Sequence, residues 1–285
     1  MRALVAGGGG QLGRGLSLTA PTSVELASHG SDTLDITDPA SVAAAIADFN
    51  PSHIFNAAAY TAVDKAESEE EAAFAVNATG VRILAEAAQA AGARLVHVST
   101  DFVFDGRSGA PYAPDAVTNP LGAYGRTKLA GENFASGDAL IVRTGWVYAP
   151  TGGNFVRTML RLMRERPEVR VVADQIGTPT YAPGLAAALW ALAAQGVSGT
   201  YHYSDAGAAS WYDFAVAIQE EALAAALLDH AVPVIPIATA DYPTPAARPS
   251  YSVLDKTSTF AALGGPAPHW REHLRIMIAE VARNG

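Results

Sequence analysis

The chain has no cysteine, so neither a disulfide nor a thiolate metal centre is open to it. That suits a reducing compartment, and the expected localisation is cytoplasmic. Lysine is scarce too, with only Lys65, Lys128 and Lys256 among 19 basic residues. The longest apolar run, "LAAALWALAA" at 185–194, is about half the length a bilayer requires, so it reads as a buried helix and no membrane partner is expected. "MRALVAGGGGQLG" carries no long apolar segment before its glycines, which argues against a signal peptide. Basic runs are missing, and the net charge of −9 repels a phosphate backbone, so no nucleic-acid partner is expected. The arginines of "RTMLRLMRERPEVR" (157–170) alternate with Leu and Met at helical spacing, as on an amphipathic surface helix.

What is present is a chain of 285 residues, 49% apolar, enough for one large domain or a main domain with a smaller lobe. Its first half alternates short strand-like runs with Ala-rich helical ones, the pattern of an α/β parallel sheet covered on both faces. Strands are expected at 2–7, 23–27, 53–58, 94–100 and 139–148, with a further one at 200–204. Asp38 followed by Pro39 marks an N-cap with proline in the first turn. Ser68 and Glu71 read as a capping box opening one long helix to about Ala91. Beyond residue 150, "APTGGN", "GTPTYAPG" and "YPTPAARPS" break the chain into shorter elements, with helices near 154–165, 182–195, 211–228 and 270–283. A dinucleotide-binding domain over 1–149, completed by parts of 170–205, and a mainly substrate-binding lobe over 150–285 are expected.

"VAGGGGQLG" lies between a strand and a helix, the setting a dinucleotide-binding loop requires. Gly8, Gly10 and Gly13 match G-x-G-x-x-G, while Gly7, Gly10 and Gly13 match G-x-x-G-x-x-G. In either register the bare backbone admits a pyrophosphate to the helix N-terminus. The second strand ends at Ala27-Ser28-His29, with neither the acid that grips ribose hydroxyls nor an arginine for a 2′-phosphate. NADH and NADPH therefore both remain open. In "LDITD", Asp35 and Ile36 offer an adenine contact, or Asp35 caps a turn.

A doubly wound sheet binds ligands at the carboxyl ends of its strands. There the chain carries Ala57, Ala58 and Ala59, small enough for a cofactor to pass, and then Ser99-Thr100-Asp101. "AYGRTKLAGE" follows, placing Tyr124 and Lys128 four residues apart on one helix face. A phenol is a competent acid whose anion a nearby ammonium stabilises, and lysine is a compact charge suited to that task. With Thr100 holding a carbonyl oxygen beside Tyr124, the set points to reduction of a carbonyl by a nicotinamide. Asp101 either orients a substrate hydroxyl, assists a proton relay, or caps the turn before "GRSG".

Taken together, "GGGGQLG", "NAAAYTAVDKAE", "VNATG", "VHVSTDFVFDG", "NPLGAYGRTKLAGE", "VRTGWVY", "DQIGTPT" and "RPSYSVLD" closely resemble the dTDP-4-dehydrorhamnose reductases of the extended short-chain dehydrogenase/reductase superfamily. The resemblance implies a Rossmann-type fold with a smaller C-terminal α/β lobe, and NAD(P)H-dependent reduction of the 4-keto group of dTDP-4-dehydro-β-L-rhamnose to dTDP-L-rhamnose. It further implies Tyr124 as proton donor, Lys128 as its partner and ribose contact, and Thr100 as the hydroxyl that holds the substrate. Val63, Asp101, Phe102 and Trp146 become sugar-pocket residues, with Asn154, Gln175 and Arg248 on the nucleotide side. Gly7, Gly10, Gln11, Leu12 and Gly13 match the pyrophosphate loop, Asp35 and Ile36 the adenine contact, and Ala57, Ala58, Ala59, Tyr60 and Thr61 the cofactor contacts after the third strand. Some members form a magnesium-bridged dimer through glutamates, one of them two residues after the last loop glycine. Here that position is Gly15, which puts magnesium in doubt; no metal is assigned, and a monomer or homodimer is expected. Two alternatives share parts of this pattern: a 4-ketoreductase for another dTDP-deoxysugar, as in dihydrostreptose synthesis, and a non-catalytic regulatory subunit like the resembling methionine adenosyltransferase β-subunit.

Overall fold

In the computed structural model, which describes residues 1–135 and 137–284, the first half of the chain alternates strand and helix. It runs β1 (Arg2–Ala6), α1 (Gln11–Leu18), β2 (Glu25–His29), α2 (Pro39–Phe49), β3 (His53–Asn56), α3 (Val63–Ala66), α4 (Glu70–Phe74), a π-helical turn (Ala75–Thr79), α5 (Gly80–Ala91), β4 (Arg94–Thr100), a 3₁₀ turn (Asp101–Val103), α6 (Ala123–Phe134) and β5 (Leu140–Thr144). There follow β6 (Val147–Tyr148), α7 (Phe155–Glu165), β7 (Val169–Val172), β8 (Ile176–Gly177), β9 (Thr180–Tyr181), α8 (Ala182–Gln195), β10 (Gly199–His202), β11 (Ala209–Ser210), α9 (Trp211–Ala224), β12 (Val234–Ile237), α10 (Thr257–Ala262) and α11 (Trp270–Asn284).

Six strands form one parallel sheet in the order β10-β5-β4-β3-β1-β2. Both faces are buried, so β1 is continuously apolar from Ala3 to Ala6 rather than alternating. Ala3 and Val5 pack with Leu16 of α1 and Leu185, Leu189 and Trp190 of α8, while Leu4 and Ala6 pack with Val42, Ile54, Val81 and Leu84 on the other face. The apolar run at 185–194 is thus a buried helix, fastened to α1 where Trp190 Nε1 donates to the Leu16 carbonyl at 3.1 Å. The strand order reverses between β1 and β3, and the crevice of a doubly wound sheet opens at that switch point. A third apolar cluster joins Val156, Met159 and Met163 of α7, Phe214 and Ile218 of α9, and Leu274 and Met277 of α11. Among the described residues no helix is long and apolar enough to cross a membrane.

Local signals held where a side chain decides the matter alone. Asp38 accepts from Ala40 N at 2.9 Å with Pro39 in the first turn, as expected. Three expectations fail, the first for a local reason and the other two for tertiary ones. Ser68 does not cap: its hydroxyl donates to the Lys65 carbonyl, and α4 starts without a side-chain cap. The single helix to Ala91 is broken by the π turn, where the Asn77 carbonyl lies so close to Gly131 of α6 that a Cβ there would overlap it. The strand at 139–148 is two strands, parted by Trp146 at φ +52°. Trp146 stacks flat on Trp211, with ring centroids 3.5 Å apart, a contact that holds the left-handed backbone in place. The second strand runs on to His29, and the Arg-rich helix stops at Glu165, before Pro167.

Candidate active site

At the switch point the loop after β1 turns through Gly7 at φ +85°, where a Cβ would lie 2.5 Å from Ala58 N. A side chain at Gly13 would overlap the Gly7 carbonyl, so α1 starts hard against the loop. The N-cap is Gly10, no side chain caps the helix, and its first turn has no acid. The N–H groups of that turn have no intrahelical partner, and with the helix dipole they suit a diphosphate. These residues fit the pyrophosphate of a nicotinamide dinucleotide. Gln11 reaches away from the loop, its amide donating to the Gly153 carbonyl at 3.4 Å and its Oε1 accepting from Asn154 Nδ2 at 3.0 Å. Leu12 is partly buried beside the α1–α8 cluster.

Beyond β2 the carboxylate of Asp35 accepts from Thr37 N and Oγ1, at 2.8 and 2.7 Å, which holds it below the usual carboxylate range. It therefore caps a turn in this structure, while Ile36 is buried under Gly80. After β3, Ala57, Ala58, Ala59 and Tyr60 line the edge partly exposed, and Thr61 is exposed. This edge is held by a residue not singled out in the sequence. Asn77 accepts from Tyr60 N at 2.9 Å and donates to Tyr60 O and to Thr127 Oγ1 of α6, tying the end of β3 to the helix that carries Tyr124. Its signal lay within "VNATG".

Helix α6 brings Tyr124 and Lys128 together one turn apart. Glu67 fixes its start, accepting from Ala123 N at 2.8 Å, and Glu70 pairs with Arg126. Thr100, the last residue of β4, completes the set: its hydroxyl donates to Asp101 Oδ1 at 3.1 Å and accepts from Phe102 N at 3.2 Å. Phe102 sets its ring edge-on to Tyr124, centroids 5.6 Å apart. Burial pushes the Tyr124 phenol up to about 12, against the Thr100 hydroxyl, which favours the phenolate, and the Asp101 charge adds to the rise. Burial also brings Lys128 down to about 8, and its Nζ donates to the Val98 carbonyl at 2.7 Å. Desolvation is the largest influence on both groups. Asp101 is buried and raised to about 6 for the same reason, although Ser252 and Thr100 both donate to it.

Val63 opens α3 at the rim, partly buried. Trp146 lies over Gly177, where a Cβ would overlap its indole. Asn154 caps α7, accepting from Arg157 N at 3.1 Å, and its amide also donates to the Ala149 carbonyl. Gln175 is buried, donating to Thr239 Oγ1 at 3.1 Å. Arg248 is paired with Asp64 of α3, 2.8 Å apart. These last three are therefore engaged with protein groups. Ser252, within "RPSYSVLD" but not singled out there, reaches Asp101 because the backbone at 250–252 pairs with Ile176: Ile176 N donates to Ser250 O and Ser252 N to Ile176 O. Gly15 packs on α8, where a Cβ would meet the Ala182 carbonyl at 3.1 Å.

Comparison with known proteins bears on this geometry. The family model described as the RmlD substrate binding domain matches residues 1–283. The chain is 42% identical over 289 residues to the dTDP-4-dehydrorhamnose reductase of Aggregatibacter actinomycetemcomitans, covering 98% of each chain. A crystal structure of a dTDP-4-dehydrorhamnose reductase from Clostridium acetobutylicum superposes with a TM-score of 0.93 at 39% identity over 99% of both chains. The Bacillus anthracis enzyme of that name, in complex with NADP, gives 0.92 at 38% identity, covering 98% of this chain and 99% of that one.

Proposed function

This chain belongs to the dTDP-4-dehydrorhamnose reductase family, and from that premise we propose that Thr100, Tyr124 and Lys128 carry out the reduction of the 4-keto group of dTDP-4-dehydro-β-L-rhamnose to dTDP-L-rhamnose. The observation that carries the reading is Tyr124 and the buried Lys128 one turn apart on α6, with Phe102, two residues beyond Thr100 at the end of β4, set edge-on to the Tyr124 ring. When bound, reduced NADP or NAD supplies the electron pair, with its hydrogen, that the carbonyl carbon takes up. Gly7, Gly10, Gln11, Leu12 and Gly13 would hold its pyrophosphate, and Ala57 to Thr61 would flank its further length.

The protein's share is proton chemistry and position. With its pKa near 12, the Tyr124 phenol is fully protonated at neutral pH, and it still yields its proton to an alkoxide, a stronger base than a phenolate. The Thr100 hydroxyl favours the phenolate left behind, and Lys128, charged below about pH 8, adds a positive charge on the same helix face. Val63, Phe102 and Trp146 would wall the sugar pocket with Asp101, and Arg248 would serve the substrate diphosphate. In this reading residues 1–149, with parts of 170–205, bind the dinucleotide, and 150–285 mainly the substrate. The enzyme works in the cytoplasm, as a monomer or homodimer, without a metal.

The test is reduced-nicotinamide absorbance during incubation with dTDP-4-dehydrorhamnose, with NADPH and NADH in parallel and Tyr124→Phe as control. Oxidation by the wild type alone supports the reading. Equal oxidation by both proteins removes Tyr124 from it, and no oxidation by the wild type removes the reaction.

A further inference from the structure

Tyr124 is the second residue of α6, so its place depends on how that helix begins. "LGAYGRT" at 121–127 sets a bare glycine on each side of Ala123 and Tyr124. At Gly125 a Cβ would overlap the Phe102 carbonyl, so the helix lies directly on the turn after β4. At Gly122 a Cβ would lie 2.5 Å from Glu67 Oε1, so the missing side chain admits that carboxylate. Gly122 is also the N-cap, and it has no side chain with which to cap. The Ala123 N–H has no intrahelical partner, and Glu67 Oε1 accepts it at 2.8 Å. A carboxylate is favoured at this positive end of the helix dipole.

Glu67 is held on both sides. The preceding Ala66 is fully buried and packs with Ala73 and Ala123, in a cluster that Tyr60 and Tyr124 border. Ser68 N and Glu69 N both donate to the Lys65 carbonyl, at 3.0 and 2.8 Å, and close the turn that carries Glu67. Beyond that turn Glu69 accepts from the Tyr60 hydroxyl at 2.6 Å, and before it Asp64 accepts from Arg248 and Ala246 N. A long side chain on an exposed turn is thus aimed at the start of α6. Deeper in that helix the supports are different. Lys128 Nζ donates to the Val98 carbonyl, Thr127 accepts from Asn77, and Gly131 lies against the Asn77 carbonyl.

We propose that Glu67 is a positioning residue for Tyr124: its bond to Ala123 N fixes the first turn of α6, and with it the phenol that meets the carbonyl to be reduced. The inference rests on the reductase reading above, and Glu67 acts only through the helix. Without this bond the first turn frays while Lys128 keeps its place. Proton donation therefore suffers and dinucleotide binding does not.

Glu67→Ala is expected to lower kcat about three- to tenfold, the effect of one capping bond on a local equilibrium, with the Kd for NADPH unchanged by fluorescence titration. Amide hydrogen exchange at 123–125 should quicken by a similar factor, while 127–134 exchange as in the wild type. Glu67→Gln keeps an acceptor oxygen and is expected to recover most of both. Gly122→Ala, which puts a methyl group where the carboxylate sits, should reproduce the defect with Glu67 intact. The double variant should lose no more than either single one, because both substitutions break the same bond. Unchanged kcat or exchange in Glu67→Ala, additive losses in the double variant, or NADPH affinity falling together with kcat overturns the proposal. Failure of the wild type to oxidise NADPH with the sugar nucleotide instead removes the reductase reading, and the exchange rates still decide whether Glu67 holds the helix start.

Discussion

Arg248 holds Asp64 with both terminal nitrogens, Nη1 3.0 Å from Oδ1 and Nη2 2.8 Å from Oδ2. Ala246 N adds a third bond to the same carboxylate, so the chain around 246–248 is fastened to the start of α3. The Arg248 guanidinium holds Asp64 below the usual carboxylate range, so this carboxylate stays ionised at neutral pH. Arg248→Ala is expected to raise KM for the dTDP-sugar by about 10- to 100-fold, the scale of a charge-assisted bond to phosphate, while KM for NADPH holds. Arg248→Lys should recover little, because a lysine cannot repeat the two-pronged contact. Initial rates with each substrate varied in turn decide this, and equal changes in both KM values would rule out a substrate-specific role.

Tyr124→Phe removes the phenolic proton and keeps the ring that packs edge-on against Phe102. Its kcat is expected to fall about 10²- to 10⁴-fold, the usual contribution of a positioned general acid. Cofactor affinity and melting temperature should stay near wild type. Fluorescence titration with NADPH alongside the rate assay separates lost chemistry from a lost fold.

Lys128 gives a pH signature with opposite signs for activity and stability. Burial lowers its folded pKa to about 8 from an ordinary 10.5, so between those values the unfolded chain binds the extra proton and stability from this group rises with pH. Activity is expected to fall through the same window as the ammonium discharges. Lys128→Met should be inactive, and at pH 7 more stable than wild type by up to about 3 kcal/mol. Lys256, also held near 8 by burial, leaves part of the slope in place. Denaturant unfolding at pH 7 and pH 10 measures the difference, and an identical pH slope in the variant would contradict the burial argument.

Gly7 is where the loop is least tolerant of a side chain. Gly7→Ala sets an L residue at φ +85° with its Cβ against the Ala58 amide, and is expected to cost about 1–3 kcal/mol together with NADPH affinity. Gly9→Ala, which meets nothing within 4 Å, should fold with wild-type stability. Thermal melts and cofactor titrations of the two test the contrast.

Magnesium is expected to make no difference. Gly15 faces Ala182 and Ala186 of α8, a closely packed contact that leaves no space for a longer side chain. Chelation should leave turnover and molecular mass unchanged. Loss of either on chelation, restored by magnesium, would show that a metal site is built elsewhere.

The sequence by itself determined the parallel sheet, the loop after β1, the Asp38 cap and the spacing of Tyr124 and Lys128, because each depends on residues near one another along the chain. Burial on both faces of the sheet writes itself as continuous apolar strands, and a missing side chain at Gly7 or Gly13 is visible without knowing what approaches it. The breaks were not visible. The π turn at Ala75–Thr79 answers a helix 50 residues away, and the left-handed Trp146 answers Trp211. Only tertiary structure brought Ser252 to Asp101, placed Arg248 on Asp64 and turned Lys128 toward Val98. The raised Tyr124 and lowered Lys128 follow from the same cause, since desolvation depends on everything packed around a group and a sequence shows only its neighbours in the chain.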